Sequence, residues 1–223
     1  MSAHVNIDIV YEDDQMMLVN KPIGVVVHEG VGTQGDTVVD WVQLKGCLLG
    51  EKERWGVVHR LDKNTEGLMV IAKTDVAYRS LSQQFHDRRV EKRYYAMVRG
   101  DVVADSMVID KPIGRDRSNR LKRSCHHPIT GTEREARTHY RVMKRYNTKT
   151  LLDVRIETGR THQIRVHLAS INHPVMGDPL YGRGRQGKKM TDSAQLLQAY
   201  YLEVSHPTNA QKVHYELPIS SRF

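Results

Sequence analysis

The stretch VVHRLDKNTEGLMVIAKT, residues 57–74, places a charged turn between two apolar runs. Residues 68–72 have the length and composition of a buried strand, and a valine pair precedes the turn. Within the turn, Asp62 follows Arg60 closely. Its carboxylate is either an ordinary turn or helix-cap aspartate, or a partly buried acid kept ionised by a neighbouring cation. The local pattern favours the first interpretation, so the rest of the chain has to decide.

Apolar periodicity predicts secondary structure along most of the chain. Alternation predicts strands at 7–11, 16–19, 92–100, 138–146, 150–159, 196–207 and 212–219. Helical spacing predicts helices at 38–42, 75–90 and 162–171, with Asp36 or Thr37 capping the first and Thr161 capping the last. Residues 101–136 are expected to be polar and irregular. Many strands with few intervening helices predict an α+β fold with an antiparallel or mixed sheet.

Composition limits the class of protein. The 223 residues predict a single domain, 1–223, and no apolar run is long enough to cross a membrane. The first residues lack the pattern of a signal peptide, and only two cysteines occur, so we expect a cytoplasmic protein in a reducing compartment. A net charge of +8 favours a polyanion as partner, most simply nucleic acid.

The positive charge is concentrated in two segments. RDRSNRLKR covers 115–123 and RGRQGKK covers 183–189. Either segment alone could be a solvated loop, but two on a basic chain favour a surface that contacts phosphates. The G-x-G-x-x-G match at 182–187 follows no convincing parallel strand and predicts no dinucleotide site. The residues predicted to contact phosphates in these segments are Arg115, Arg117, Arg120, Lys122, Arg123, Arg183 and Arg185.

A second unusual cation is Arg165 in GRTHQIRVH, residues 159–167. It falls beside the apolar face of the predicted helix and near the helix start, where the helix dipole does not favour a positive charge. Two interpretations are open: a structural salt bridge, or a counter-ion for a functional carboxylate.

Several motifs occur in an order that resembles one family, the RluA-type pseudouridine synthases. They are NKPIGVVVH at 20–28, HRLDKNTEGLMVIAKT at 59–74, KRYYAMVRG at 92–100, GRTHQIRVHLASINHPVMGDPLYG at 159–182 and SHP at 205–207. The resemblance runs from about residue 9 to near the end of the chain. It implies the pseudouridine synthase fold, an α+β domain with a mixed, mostly antiparallel sheet and a central active-site cleft.

The resemblance assigns roles to four residues. The family's catalytic aspartate matches Asp62, its active-site tyrosine matches Tyr94, and its active-site arginine matches Arg165. Tyr94 is chosen over its neighbour because it lies six residues before Gly100, as in the family. Arg60 matches a residue that the family uses near the flipped-out nucleotide, and is therefore counted with the RNA-binding residues.

The implied reaction converts uridine in tRNA or rRNA to pseudouridine, and needs no cofactor and no metal. Asp62 must be ionised, and the resemblance implies that Arg165 holds it in a bidentate pair while Tyr94 stacks on the uracil. One departure is Glu66, where the family usually has Ser or Thr; it should point outward or pair, for instance with Lys63. The S4-type RNA-binding domain of many relatives is expected to be absent, and we expect a monomer.

Two other functions compete with this interpretation. A non-catalytic RNA-binding protein could keep the fold, but loss of the aspartate, tyrosine or arginine would then be expected, and all three are present. A glycosidase-like hydrolase would need a second carboxylate in a comparable motif, and Glu66 is too close to Asp62 in sequence to act across a sugar.

Overall fold

A computed structural model describes residues 5–30, 35–45, 55–126, 128–182 and 195–223. The chain divides into two compact units, one of Met1–Glu91 with Ala199–Pro218 and one of Lys92–Gln198 with Ile219–Phe223. The strands are β1 Asp8–Glu12, β2 Met16–Lys21, β3 Glu66–Ala72, β4 Glu91–Arg99, β5 Ser106–Asp110, β6 Ile113–Asp116, β7 Arg123–Ser124, β8 Ile129–Arg134, β9 Arg137–Arg145, β10 Lys149–Ile156, β11 Leu197–Ser205 and β12 Lys212–Glu216. The helices are α1 Val38–Leu44, α2 Asp75–His86 and α3 Gln163–Ser170.

The first unit is a sheet with a helix packed on its apolar side. β2 pairs antiparallel with β1 and β3, β11 lies beside β3, and β12 pairs with β11. Alternate residues of β2 and β3, such as Leu18 and Val70, are buried with Leu81 of α2 in one core. Gly67 is required in β3 because its φ is +118° and a Cβ there would collide with the backbone of Ala199.

The second unit contains two sheets and α3. β4, β10, β9 and β5 lie side by side in antiparallel order. β6 is the middle strand of a separate three-stranded sheet, with β7 and β8 at its sides. None of the helices in the described ranges is long and apolar enough to cross a membrane.

Most of the predicted elements are confirmed, and the α+β fold with a mostly antiparallel sheet is confirmed with them. The prediction for 101–136 is wrong, since β5 to β8 all lie there. These strands have two to six residues and mostly exposed side chains, so they show no apolar alternation. Thr161 is not the cap of α3; that position is held by His162 in a left-handed conformation without a capping side chain.

Candidate active site and RNA-binding residues

Asp62 lies in a tight turn of the first unit. The carbonyl of Asp62 accepts a hydrogen bond from the N–H of Thr65 at 3.0 Å, which closes the turn directly before β3. Leu61 and Thr65, on either side, are buried, whereas Asp62 itself is half-buried. The turn therefore has its backbone fixed by the core and its carboxylate only partly covered.

A buried ammonium group lies beneath this turn. The side chain of Lys21, at the end of β2, is fully buried, and its Nζ donates to the carbonyls of Pro22, Val25 and Lys63 at 2.9, 3.0 and 3.2 Å. Burial lowers the pKa of Lys21 to about 8, and the charge of Asp62 opposes that shift. Lys21 thus both ties the Asp62 turn to the preceding segment and supplies a positive charge near the carboxylate.

Glu66, the unusual acid of the motif, also influences Lys21. The charge of Glu66 acts on Lys21 in the same direction as that of Asp62, because both favour the protonated ammonium. The pairing of Glu66 with Lys63 that the sequence suggested stays a prediction. Sequence reasoning missed Lys21, although the Lys-Pro pair in NKPIGVVVH marked its position.

Two further side chains of the motif have different environments. His59 stacks on the ring of Phe85 at 4.5 Å, and its Nε2 accepts the N–H of Val70 at 3.0 Å. His59 therefore supports the second half of β3. Arg60 is exposed, as expected of a residue that contacts RNA.

Tyr94 belongs to the second unit, near the start of β4. It is 7% exposed and pairs with Val154 of β10. Lys92 lies two residues earlier and so on the same face of the strand. Burial lowers the pKa of Lys92 to about 8. The predicted active-site tyrosine therefore has an easily deprotonated lysine as a neighbour on its strand.

Arg165 is held on α3 by a buried chain of hydrogen bonds that anchors the helix to β9. Gln163 accepts from Thr158 at 2.8 Å and donates to Thr138 at 3.1 Å. The Oγ1 of Thr138 lies 2.9 Å from Nδ1 of His167, whose Nε2 lies 2.9 Å from the carbonyl of Lys111. The carbonyl requires Nε2 to carry the proton, so Nδ1 accepts from Thr138. Burial lowers the pKa of His167, which favours this neutral form.

The guanidinium of Arg165 has a carboxylate partner within its own unit. Its Nε and Nη2 donate to the two oxygens of Asp178 at 2.7 and 3.0 Å, and both residues are almost fully buried. Burial alone would raise the pKa of Asp178, but the hydrogen bonds and charge of Arg165 outweigh it and lower that pKa. Arg165 therefore forms the structural salt bridge that the sequence analysis considered. That Arg165 also acts on Asp62 stays a prediction.

Tyr181 connects this ion pair to the basic segment. Its ring lies 5.2 Å from the guanidinium of Arg165 and 5.8 Å from the ammonium of Lys122. Its hydroxyl accepts the N–H of Arg123 at 2.7 Å and lies 3.0 Å from Nδ1 of His162. Asp178 and Tyr181 were both missed by sequence reasoning, although GDPLYG was among the quoted motifs.

The residues predicted to bind RNA fall into three groups. Arg115 and Arg123 lie on paired positions of the small sheet, with Lys122 directly before β7. Arg117 and Arg120 are exposed in the connection between β6 and β7. Arg183 and Arg185 lie outside the described residues. Within the described ranges, no group of three or more His, Cys, Asp or Glu residues is arranged to hold a metal ion.

Comparison with known proteins identifies relatives along nearly the whole chain. The family model described as RNA pseudouridylate synthase matches residues 15–170, which include Asp62, Tyr94 and Arg165. Proteins named ribosomal large subunit pseudouridine synthase D are 40% identical in Nitrosomonas europaea and 42% identical in Neisseria meningitidis serogroup B, each over 96% of this chain. The chain spans 62% and 58% of the length of those two relatives.

A solved structure gives the same result. Human RNA Pseudouridylate Synthase Domain Containing 1 superposes with a TM-score of 0.79 and 26% identity, covering 98% of this chain and 86% of that one. Human RNA Pseudouridylate Synthase Domain Containing 4, at 23% identity and a TM-score of 0.75, has the same fold. Because the family model matches most of the chain and its motifs are those described above, this chain belongs to the RNA pseudouridylate synthase family.

Proposed function

We propose that this chain is an RNA pseudouridine synthase that isomerises specific uridines in the RNA of the large ribosomal subunit. The observation that carries the proposal is the intact HRLD turn within the family match, in which Asp62 is half-buried and the next residue, Lys63, accepts a hydrogen bond from the buried ammonium of Lys21. The names of the relatives favour ribosomal over transfer RNA as substrate. In this proposal RNA is the partner, the protein is a cytoplasmic monomer, and residues 1–223 act as one catalytic domain.

Asp62 supplies the carboxylate. Pseudouridine forms when the N1–C1′ bond breaks, the uracil turns, and C5 bonds to C1′; C5 loses a proton and N1 gains one. The carboxylate takes part by adding to C1′, by adding to C6 or by removing the C2′ proton, and all three routes need it ionised.

Tyr94 and Arg165 supply recognition and charge in the proposed site. The phenol ring of Tyr94 stacks on the uracil, and the buried Lys92 on the same strand face assists removal of the C5 proton. Arg165 supplies the positive charge of the proposed site, and Asp178 holds its guanidinium in one geometry. Arg60 contacts the nucleotide that leaves the stack.

Mapping of pseudouridine tests the reaction itself. Ribosomal and transfer RNA would be compared between cells with and without the gene, and we expect at least one large-subunit position to lose its pseudouridine. If pseudouridine is lost only from a position in tRNA, the substrate is tRNA. If every position is retained, the chain is not acting as a synthase.

Substitution of Asp62 tests its role. We expect Asp62→Ala to lower single-turnover conversion by about a thousandfold or more, as for other essential catalytic groups. RNA binding should persist, since Asp62 contributes no positive charge. Asp8→Ala, an exposed aspartate on β1, is the matched control and should convert RNA at the parental rate. Activity of the Asp62→Ala protein within tenfold of the parent would exclude Asp62 as the essential carboxylate.

A further inference from the structure

A basic cavity lies in the second unit, apart from the residues assigned to the chemistry. Its volume is about 560 Å³, and its lining includes four arginines, Arg115, Arg123, Arg134 and Arg160. Hydroxyl groups of threonines and backbone of glycines complete much of the wall. No aspartate or glutamate belongs to the described residues that line it. A cavity of this size accommodates a small charged ligand, since ligand sites measure about 300–1,000 Å³.

The small sheet places two of these cations directly opposite each other. Arg115 of β6 pairs with Arg123 of β7, and on its other side with Thr130 of β8. Paired residues present their side chains on the same face of a sheet, and like charges at such positions destabilise it. An anion bound against this face removes that repulsion, so the arrangement favours the loaded state of the cavity.

Three of the four guanidinium groups have no carboxylate partner in the part of the chain that the structure describes. These are Arg115, Arg123 and Arg134, which form no ion pair there. Arg160 donates from Nε to the backbone carbonyl of Glu135 at 3.0 Å, which orients its guanidinium. By contrast, Arg137 and Arg145 at the two ends of β9 are paired with Asp110 and Asp105.

Two glycines leave room for a ligand to approach the backbone of the wall. At Gly131 and Gly159 there is no atom within 4 Å of the position that a Cβ would take. Thr161, which does not cap α3, is exposed and is one of the residues that line the cavity. Such a lining is suited to a phosphate group, because one guanidinium can donate to two phosphate oxygens and hydroxyl groups can donate to them as well.

We propose that this cavity binds a phosphodiester segment of the RNA substrate outside the target uridine. The inference rests on the proposed function for the identity of the anion. The cavity is linked to the proposed active site through its own wall, since the N–H of Arg123 donates to Tyr181, whose ring lies against Arg165. RNA bound here fixes β7 and, through Tyr181, the environment of the active-site arginine.

Binding of an all-adenosine RNA of about ten nucleotides tests the cavity without involving a target uridine. We expect Arg115→Gln with Arg134→Gln to weaken binding about tenfold. The slope of log affinity against log salt should fall in magnitude by about 0.7 to 1.4, because one or two phosphate contacts are lost. Arg115→Lys with Arg134→Lys keeps the positive charge but loses the two parallel donors of each guanidinium, and should weaken binding by a smaller factor.

The matched control removes the same charge elsewhere. Arg79 and Arg155 are exposed and line no part of the cavity, so Arg79→Gln with Arg155→Gln should weaken binding less than twofold. If the two glutamine pairs weaken binding equally, the cavity is only part of a diffuse positive surface and the proposal is overturned. The thermal unfolding midpoint of the cavity pair should be equal to or higher than that of the parent, because the substitutions remove charge repulsion and no ion pair.

The two proposals fail in different measurements. If the arginine substitutions in the cavity do not weaken binding of adenosine RNA, while the parent still forms pseudouridine, only the cavity proposal is excluded. Absence of pseudouridine formation removes the proposed function, whatever the adenosine RNA binding shows. Inorganic phosphate, at the same concentration of phosphate groups, should displace adenosine RNA only weakly. Full displacement would show that the cavity binds free phosphate instead of RNA.

Discussion

The guanidinium of Arg165 is locked by the carboxylate of Asp178 in a buried, two-pronged ion pair, with N···O distances of 2.7 and 3.0 Å. The same carboxylate accepts the N–H groups of Leu180 and Tyr181 at 2.8 and 3.0 Å. One aspartate thus fixes both a cation and the turn that follows it. Since α3 is anchored separately through Gln163, Arg165 is constrained at its backbone and at its charged end.

Asp178→Asn is predicted to damage stability and activity together. The variant leaves a buried guanidinium without its charged partner, which costs about 3 to 5 kcal/mol of unfolding free energy. Urea unfolding measures that loss, and single-turnover conversion of a ribosomal RNA fragment measures the effect of a mobile Arg165. We expect the rate to fall by more than about tenfold at a temperature where the variant remains folded.

Asp105→Asn is the control for that variant. It removes an aspartate paired with an arginine at 2.6 Å, but Asp105 is 87% exposed, and exposed pairs contribute about 0 to 1 kcal/mol. An equal loss of unfolding free energy in the two variants would show that burial does not make the Asp178–Arg165 pair more important for stability.

The sequence located Asp62, Tyr94 and Arg165 through their motifs, but it did not locate the groups that hold them. Asp178 lies 13 residues after Arg165, and the two meet only because the chain turns back after α3. Lys21 was missed for another reason: lysine is almost never fully buried, and nothing local shows that three backbone carbonyls surround its ammonium. Supporting contacts of this kind depend on tertiary structure and leave little periodic signal.

The irregular appearance of 101–136 has a similar cause. β6, β7 and β8 form a sheet on which charged and hydroxyl side chains predominate, so apolar alternation is absent although the backbone ladder is formed. β9 and β10, in contrast, are long strands with buried side chains, among them residues 150–154 of β10, and both were predicted correctly. Burial of apolar side chains, rather than strand formation itself, is what the sequence pattern indicates.

Two substitutions at Tyr181 should separate its ring from its hydroxyl. Tyr181→Phe keeps the ring against Arg165 but removes the acceptor of the Arg123 N–H, at a cost of about 1 kcal/mol in stability. Its conversion rate at saturating RNA should stay within about threefold of the parent. Tyr181→Leu also removes the ring, and we expect a further tenfold fall in rate. Equal rates for Phe and Leu would exclude a role of the ring in positioning Arg165.

Lys21→Met should change how stability depends on alkaline pH. The pKa of Lys21 is about 8 in the folded protein and about 10.5 when the chain is unfolded. Between these values the unfolded state binds more protons, so stability rises as pH increases. The pKa of Lys92 is also about 8, so two lysines contribute to the rise in the parent's stability between pH 8 and about 9.5. Lys21→Met removes one of them, and the rise in stability should be roughly halved. Unfolding in urea at several pH values measures both curves, and parallel curves would show that Lys21 is not titrating in this range.

Asp13→Asn should reveal a source of acid sensitivity in the first unit. Burial alone would raise the pKa of Asp13, but hydrogen bonds from Tyr11, Met16, Gln15 and His206 outweigh it and lower that pKa to about 2. The unfolded value is near 3.8, so Asp13 stabilises the fold above that pH by about 2 kcal/mol, and this contribution is lost as pH falls through 2. The variant should be less stable at neutral pH and approach the parent near pH 2. Asp8→Asn, on the exposed side of β1, should follow the parent throughout; an Asp13→Asn curve that does the same would exclude this carboxylate as an acid-sensitive support.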